Sequence, residues 1–251
     1  MTDELFSLRA VVVSGSRDDH DLFRQAASSS PVPIEIVEAD CVAAAQRSLA
    51  DGADLAFLDG GLARREIAQA IAAARAARNP SFTVLLTAPE SAAEPFETDA
   101  LASKPARPDE ARRLVERSIR VRLPSRVLVV DDSATMRSIV RKLLAATRFP
   151  FEVSEADDGF AALKLARESE FNLVFLDYNM PSFSGLETLA EFKREKRRVS
   201  MVIMTSMPDE ALAERVRDQG AAFLKKPFFP ADIEAVLCRF YGLRALNPKR
   251  A

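Results

Sequence analysis

The chain is poor in the residues that build metal and redox centres: one histidine, His20, and two cysteines, Cys41 and Cys238, far apart in 251 residues. With no second thiol or imidazole near any of them, a zinc site of the usual Cys/His spacing is excluded and reduced thiols are expected. Excess charge is lacking too. The 35 Lys and Arg against 37 Asp and Glu leave a formal net charge of −2, so a generally basic nucleic-acid binder is not indicated and DNA is not an expected partner. No apolar run approaches the roughly 20 residues of a membrane span. Met1 to Arg9 do not run from basic to apolar as a secretory leader does. A cytoplasmic location without membrane insertion is therefore expected. What remains is an ordinary globular composition, long enough for one large or two modest domains.

The chain repeats itself. Leu55-Ala-Phe-Leu-Asp59 answers Leu173-Val-Phe-Leu-Asp177 at an offset of 118, and Thr83-Val-Leu-Leu-Thr87 answers Met201-Val-Ile-Met-Thr205 at the same offset. Ile34 to Asp40 matches Phe151 to Asp157 at 117, and Ser103-Lys-Pro105 matches Lys225-Lys-Pro227. A period this long means two domains, 1–122 and 123–251, with Pro124 marking the boundary. Short apolar runs alternate with amphipathic segments in each half, the pattern of βαβ units around a parallel sheet. In the second half strands are expected at Arg126 to Val130, Phe151 to Glu155, Leu173 to Asp177, Val199 to Thr205 and Ala222 to Lys225. Met136, Ile139, Val140, Leu143 and Leu144 recur at helical spacing and predict a helix laid on that sheet.

The run from Phe171 to Asp177 is too short to span a membrane and suits a buried parallel strand, so Asp177 should project from its carboxyl end, the edge where open α/β sheets bind ligands. Alone, such an aspartate reads first as an ordinary capping or loop residue after a strand. Other strand ends change that reading: the first ends in Asp131-Asp132, the fourth in Thr205, the fifth in Lys226-Pro227. Three carboxylates converging on one edge repel each other unless a cation is present, and Mg2+, a small hard ion that pairs with phosphate, suits them best.

With these residues the second half, from about Ser125 to Leu243, resembles the CheY-like receiver domains of bacterial two-component response regulators. The resemblance implies two flavodoxin-like (βα)5 domains, each with a five-stranded parallel sheet of order 2-1-3-4-5. It implies that Asp177 is the phosphoacceptor and that Mg2+ is held by Asp132 and Asp177, by Asp131 through a water and by the backbone carbonyl of Asn179. Thr205 and Lys226 would contact the phosphoryl group, and Phe223 would be the switching aromatic. Asn179 and Met207 fall where the family tunes the lifetime of the phosphate. Because methionine cannot orient a water by hydrogen bonding, slow self-hydrolysis is expected.

The first half keeps Asp59, Thr87 and Lys104, but its first strand ends in Ser14-Gly15-Ser16 in place of the acidic pair. It reads as a degenerate receiver in which Asp59 pairs with Lys104, with Asp18 and Asp19 as helix N-terminal charges. The halves carry net charges of −4 and +2. Two basic clusters, Lys193 to Arg198 and the series Arg112, Arg113, Arg117, Arg120 and Arg122, read first as solvated faces and second as an anion or nucleotide clamp. Only Arg244 to Ala251 follow the second receiver, too few for a DNA-binding or enzymatic output domain. The implied function is a response regulator phosphorylated by a sensor histidine kinase, switching contacts with a downstream protein and not an enzyme beyond its own phosphorylation and dephosphorylation. The resemblance also admits a phosphorylation-dependent dimer. One alternative is a phosphorelay intermediate or phosphate sink exchanging phosphate with a histidine phosphotransfer protein. Another is a metal-dependent aspartyl-phosphate phosphatase, disfavoured because Asn179 stands where that chemistry wants a second aspartate.

Overall fold

A computed structural model describes residues 7–88, 96–181, 183–195, 197–207 and 209–243. The chain divides into two compact units whose main bodies are 1–122 and 123–240. The first runs β1 (Leu8–Val13), α1 (Arg17–Ser28), β2 (Ile34–Ala39), α2 (Val42–Ala50), β3 (Leu55–Asp59), α3 (Arg64–Ala76), β4 (Phe82–Thr87), β5 (Ala100–Ser103) and α4 (Pro108–Arg120). Its strands form a parallel sheet of order β2-β1-β3-β4-β5. Between β4 and β5, residues 89–95 lie outside the described residues, as do Arg244 to Ala251.

The second unit runs β6 (Ser125–Val130), α5 (Ala134–Ala145), β7 (Phe151–Ala156), α6 (Gly159–Glu168), β8 (Leu173–Asp177), α7 (Gly185–Arg194), β9 (Ser200–Thr205), α8 (Glu210–Asp218), β10 (Ala222–Lys225) and α9 (Pro230–Tyr241). Its order, β7-β6-β8-β9-β10, is all parallel and is the expected 2-1-3-4-5.

Burial explains why β8 is central. Leu173, Val174, Phe175 and Leu176 are at most 1% exposed, and at about 1.5–3 kcal/mol per buried side chain they contribute up to roughly 6–12 kcal/mol. One face of the sheet, with Leu128, Val130, Val174, Leu176 and Ile203, packs with Leu163, Leu189, Phe192, Leu212 and Val216 from α6, α7 and α8. A strand covered on both faces cannot alternate with polar residues, hence its uninterrupted apolar run. On α5 only Val140 and Leu144 are fully buried. Ile139, expected on the same stripe, is 41% exposed, because at 100° per residue it falls on the flank of a stripe centred on those two.

The ends of these elements set up the site. Asp177 closes β8, and α7 begins at Gly185 directly against it: a Cβ on Gly185 would lie 2.4 Å from the Asp177 carbonyl oxygen. Only glycine permits that approach. Ser184 caps the helix through a capping box with Glu187. At the other end of α8, Gly220 adopts φ +68° and stops the helix, as its position suggested.

Candidate functional site

At the carboxyl edge of the second sheet, Asp131, Asp132 and Asp177 offer carboxylate oxygens that all lie within 4.8 Å of one another. Asp131 follows β6 directly and its N–H donates to the Ala156 carbonyl at 3.2 Å. Asp131 and Asp177 are buried and Asp132 is exposed. The Lys226 Nζ donates to Asp131 Oδ2 at 2.7 Å and to Asp177 Oδ1 at 2.8 Å. One ammonium among three carboxylates leaves a formal charge of −2, the complement of a dication.

Titration behaviour follows from that arrangement. Burial, helped by the charges of Asp131 and Asp132 and opposed by Lys226, pushes the Asp177 carboxyl above its ordinary range. Burial works against the Lys226 ammonium, but the hydrogen bonds and charges of Asp131 and Asp177 outweigh it and its pKa is raised. The lysine is thus held cationic, while the carboxylate it serves still lacks positive charge.

The remaining expected residues surround this core. Thr205, fully buried, ends β9 next to Lys225 of β10, and its Oγ1 accepts from the Met207 N–H at 3.1 Å. The Met207 side chain is 76% exposed. Asn179 lies two residues past Asp177 and is exposed. Phe223, on β10, is half-buried and packs against the core between the sheet and α6–α8.

The first unit shows what the same edge becomes without the acidic pair. Lys104 Nζ lies 2.9 Å from Asp59 Oδ2, the expected pairing, and 2.8 Å from Asp19 Oδ2. Ser14 Oγ donates to Asp19 Oδ2 at 2.5 Å and approaches Asp59 Oδ2 at 3.2 Å. Asp18 and Asp19 both lie in the first turn of α1, as expected of helix N-terminal charges, but Asp19 does more than that. Asp18 is exposed, but Asp19 is buried in the site, because helical side chains tilt toward the N-terminus and this one points back under the strand ends. Burial alone would raise the Asp59 pKa, but bonds from the Gly61 N–H, Lys104 and Ser14 hold it below the usual carboxylate range. In the basic series on α4, Arg113 pairs with Asp109 at 2.7 Å and Arg112 lies 3.5 Å from Glu116. For these two arginines the partners sit on their own helix, whereas Arg122 lies 3.8 Å from Asp54.

Sequence reasoning missed Arg137, on α5, whose guanidinium donates to the Asp131 carbonyl at 2.8 Å. It also missed the part Asp19 plays. Neither belongs to a strand end, and only the turn of a helix brings each to the site.

Comparison with known proteins agrees with this geometry. The sequence pattern described as "Response regulator receiver domain" matches residues 127–237. Chemotaxis protein CheY-3 of Vibrio cholerae is 31% identical over 122 residues, which are 46% of this chain and 91% of that protein. The chain belongs to the response regulator receiver family. Transcriptional regulatory protein PdtaR of Mycobacterium tuberculosis is 36% identical over 130 residues, half of this chain but only 62% of PdtaR's length. A solved structure described as a "probable two-component system response regulator/GGDEF domain protein" is 22% identical, with a TM-score of 0.56, and covers 94% of this chain and 98% of its own. That likeness shows the same fold in both units. Among the described residues no helix is long and apolar enough to cross a membrane.

Proposed function

We propose that the second receiver is the phosphorylatable unit of a cytoplasmic two-component response regulator. The observation that carries this reading is the cluster of Asp131, Asp132 and Asp177 bridged by Lys226 at one strand edge. This donor set fits Mg2+: hard oxygen ligands, a net charge of −2 and an exposed side at Asp132. Asp132 and Asp177 would hold the ion directly, Asp131 through a water and Asn179 through its carbonyl. Bound there, Mg2+ would neutralise charge on the transferring phosphoryl oxygens.

The chain's own groups do the rest. An Asp177 carboxylate oxygen attacks phosphorus in line; the new O–P bond forms as the bond to the donor kinase's histidine nitrogen breaks, and that nitrogen keeps the electron pair. Lys226, already within 2.8 Å of Asp177 Oδ1, stabilises the oxygens of the acyl phosphate, and the Thr205 hydroxyl turns from the Met207 N–H to bond them. Moving Thr205 draws on β9 and lets Phe223 shift on neighbouring β10, a population shift that alters the surface offered to a downstream protein. No turnover of other substrates is expected. Incubation of the full chain with acetyl phosphate and Mg2+ should add one phosphoryl mass at Asp177, read by intact-mass and peptide analysis. Undiminished labelling of Asp177→Asn would sink the proposal.

The first receiver is read as degenerate and used for binding. The support is its closed ion network: Asp59 is held ionised by Lys104, and Asp19 supplies the second counter-charge. Phosphorylation of Asp59 in an Asp177→Asn background would overturn that reading.

A further inference from the structure

Asp132 is the exposed member of the acidic cluster, and among the described residues its carboxylate makes no hydrogen bond or ion pair. What orients it is the backbone. The peptide joining Asp131 to Asp132 is planar, so whatever holds the Asp131 carbonyl also sets the direction in which Asp132 leaves the turn. That carbonyl accepts from Arg137 Nη1 at 2.8 Å, and the same guanidinium donates through Nε to Glu155 Oε2 at 3.0 Å. The Arg137 side chain is 17% exposed, and Arg141 braces the far oxygen of Glu155 at 3.3 Å. Glu155 lies on β7, the edge strand, opposite Val129. A planar, always-charged fork thus ties the acidic turn to the rim of the sheet.

The repeat supplies an internal comparison. The offset of 117 that aligns Asp131 with Ser14 aligns Glu155 with Glu38, Arg141 with Arg24 and Arg137 with His20. The outer ion pair is kept in the first unit, Arg24 Nη2 lying 2.6 Å from Glu38 Oε1. The inner one is not. His20 is buried with Nε2 unpartnered and Nδ1 3.7 Å from Asp40, and it makes no bond to the Ser14 carbonyl. The unit that lacks the acidic pair also lacks the arginine that would orient it.

We infer that Arg137 is a positioning residue for the cation site, holding the Asp131–Asp132 turn in the shape that lets both carboxylates reach one ion. This rests on the proposed Mg2+ site and adds to it. Charge and geometry make opposite demands here. A guanidinium beside a dication repels it, so if Arg137 acted only through its charge, its removal would tighten Mg2+ binding. Loss of an orienting partner outside the ligand shell instead typically weakens metal affinity by about 10–100-fold.

Mg2+ titration of the full chain by isothermal calorimetry separates the two. Arg137→Met should bind Mg2+ about 10-fold more weakly than the parent, while its melting in EDTA reports any purely structural damage. Arg137→Lys, which keeps the charge but offers a point donor in place of a fork, should fall between Arg137→Met and the parent. Binding by Arg137→Met equal to or tighter than the parent overturns the inference. If Arg137→Met does not fold, Arg137→Lys decides: weaker binding with unchanged melting in EDTA supports the role, and equal or tighter binding overturns it. Asp132→Asn is the control for the site. A parent that binds no Mg2+, or binds it as well after Asp132→Asn, refutes the cation site itself and this role with it.

Discussion

Replacing Asp177 by asparagine should stabilise the Mg2+-free second receiver and make it insensitive to Mg2+. The carboxylates of Asp131, Asp132 and Asp177 lie within 4.8 Å of one another. At an effective dielectric of about 20, each of the two repulsions felt by Asp177 costs about 3.5 kcal/mol at that distance. Lys226, 2.8 Å away, returns about 6 kcal/mol on the same scale. The balance is about 1 kcal/mol against the ionised carboxylate, before burial adds its own cost, and it agrees in sign with the raised Asp177 pKa. Asparagine keeps an oxygen for Lys226 and removes the repulsion. Urea unfolding in EDTA should therefore show Asp177→Asn more stable by about 1–2 kcal/mol. The chain has no tryptophan, so its two tyrosines, Tyr178 and Tyr241, supply the emission that reports unfolding. With Mg2+ at 100 times its Kd the parent should gain about 2.7 kcal/mol and overtake the variant. A variant less stable than the parent in EDTA, or one that gains equally from Mg2+, would refute the electrostatic account of the site.

Further outcomes follow from single contacts. Without Mg2+ the two receivers should respond oppositely to pH. Because the Asp177 pKa is raised on folding, its contribution is fully present below the ordinary value of about 4 and is lost as pH rises through the higher folded value. The Asp59 pKa is lowered, so its contribution is present above about pH 4 and is lost as pH falls through the folded value; urea melts of Asp177→Asn and Asp59→Asn against the parent across pH separate the two. Lys104→Met leaves Asp19 and Asp59 without their shared counter-ion and should cost about 1–3 kcal/mol, less than a fully buried pair because the lysine is partly exposed; an unchanged urea midpoint would contradict this. Gly185→Ala must push α7 off the end of β8, where its Cβ would lie 2.4 Å from the Asp177 carbonyl, and should lower both stability to urea, by about 1–3 kcal/mol, and Mg2+ affinity. Gly220→Ala meets nothing within 4 Å and should cost only about 1–2 kcal/mol for its left-handed backbone, with Mg2+ affinity unchanged. If phosphate lifetime is set at Met207, Met207→Glu should speed loss of phosphate from Asp177, and an equal or slower rate would count against that role.

The fold was legible because its central strands are buried on both faces. Leu173 to Leu176 and Val127 to Val130 carry no polar residue, and such runs have definite ends, so the residues closing them could be named along with the edge they share. Strand-end residues were therefore the readable part of the site. Helix-borne contributors were not. Asp19 is five residues past Ser14 and Arg137 six past Asp131, and whether a side chain one turn into a helix faces the cleft or solvent depends on how the helix is seated. Ile139 was misplaced for the same reason: periodicity fixes which residues share a stripe but not how wide the covered part is.

Comparison of the two units isolates the charge that sets their strand edges apart. Both close their third strand with an aspartate, and both clamp it with a lysine that touches two carboxylates. In the second unit the lysine's other partner is Asp131, which leaves Asp132 over as uncompensated charge. In the first, Asp19 reaches back from α1 to take Asp131's place on the lysine, and Ser14 and Gly15 supply nothing more. The lysine is equally satisfied in both, so its position says little about reactivity. The discriminating charge is the third carboxylate, and among the described residues the second unit alone has both that carboxylate and an arginine bonded to the turn carrying it. It follows that Gly15→Asp alone should not convert the first unit into a Mg2+ site, because His20 leaves the Ser14 carbonyl unheld and Asp19 already occupies the lysine.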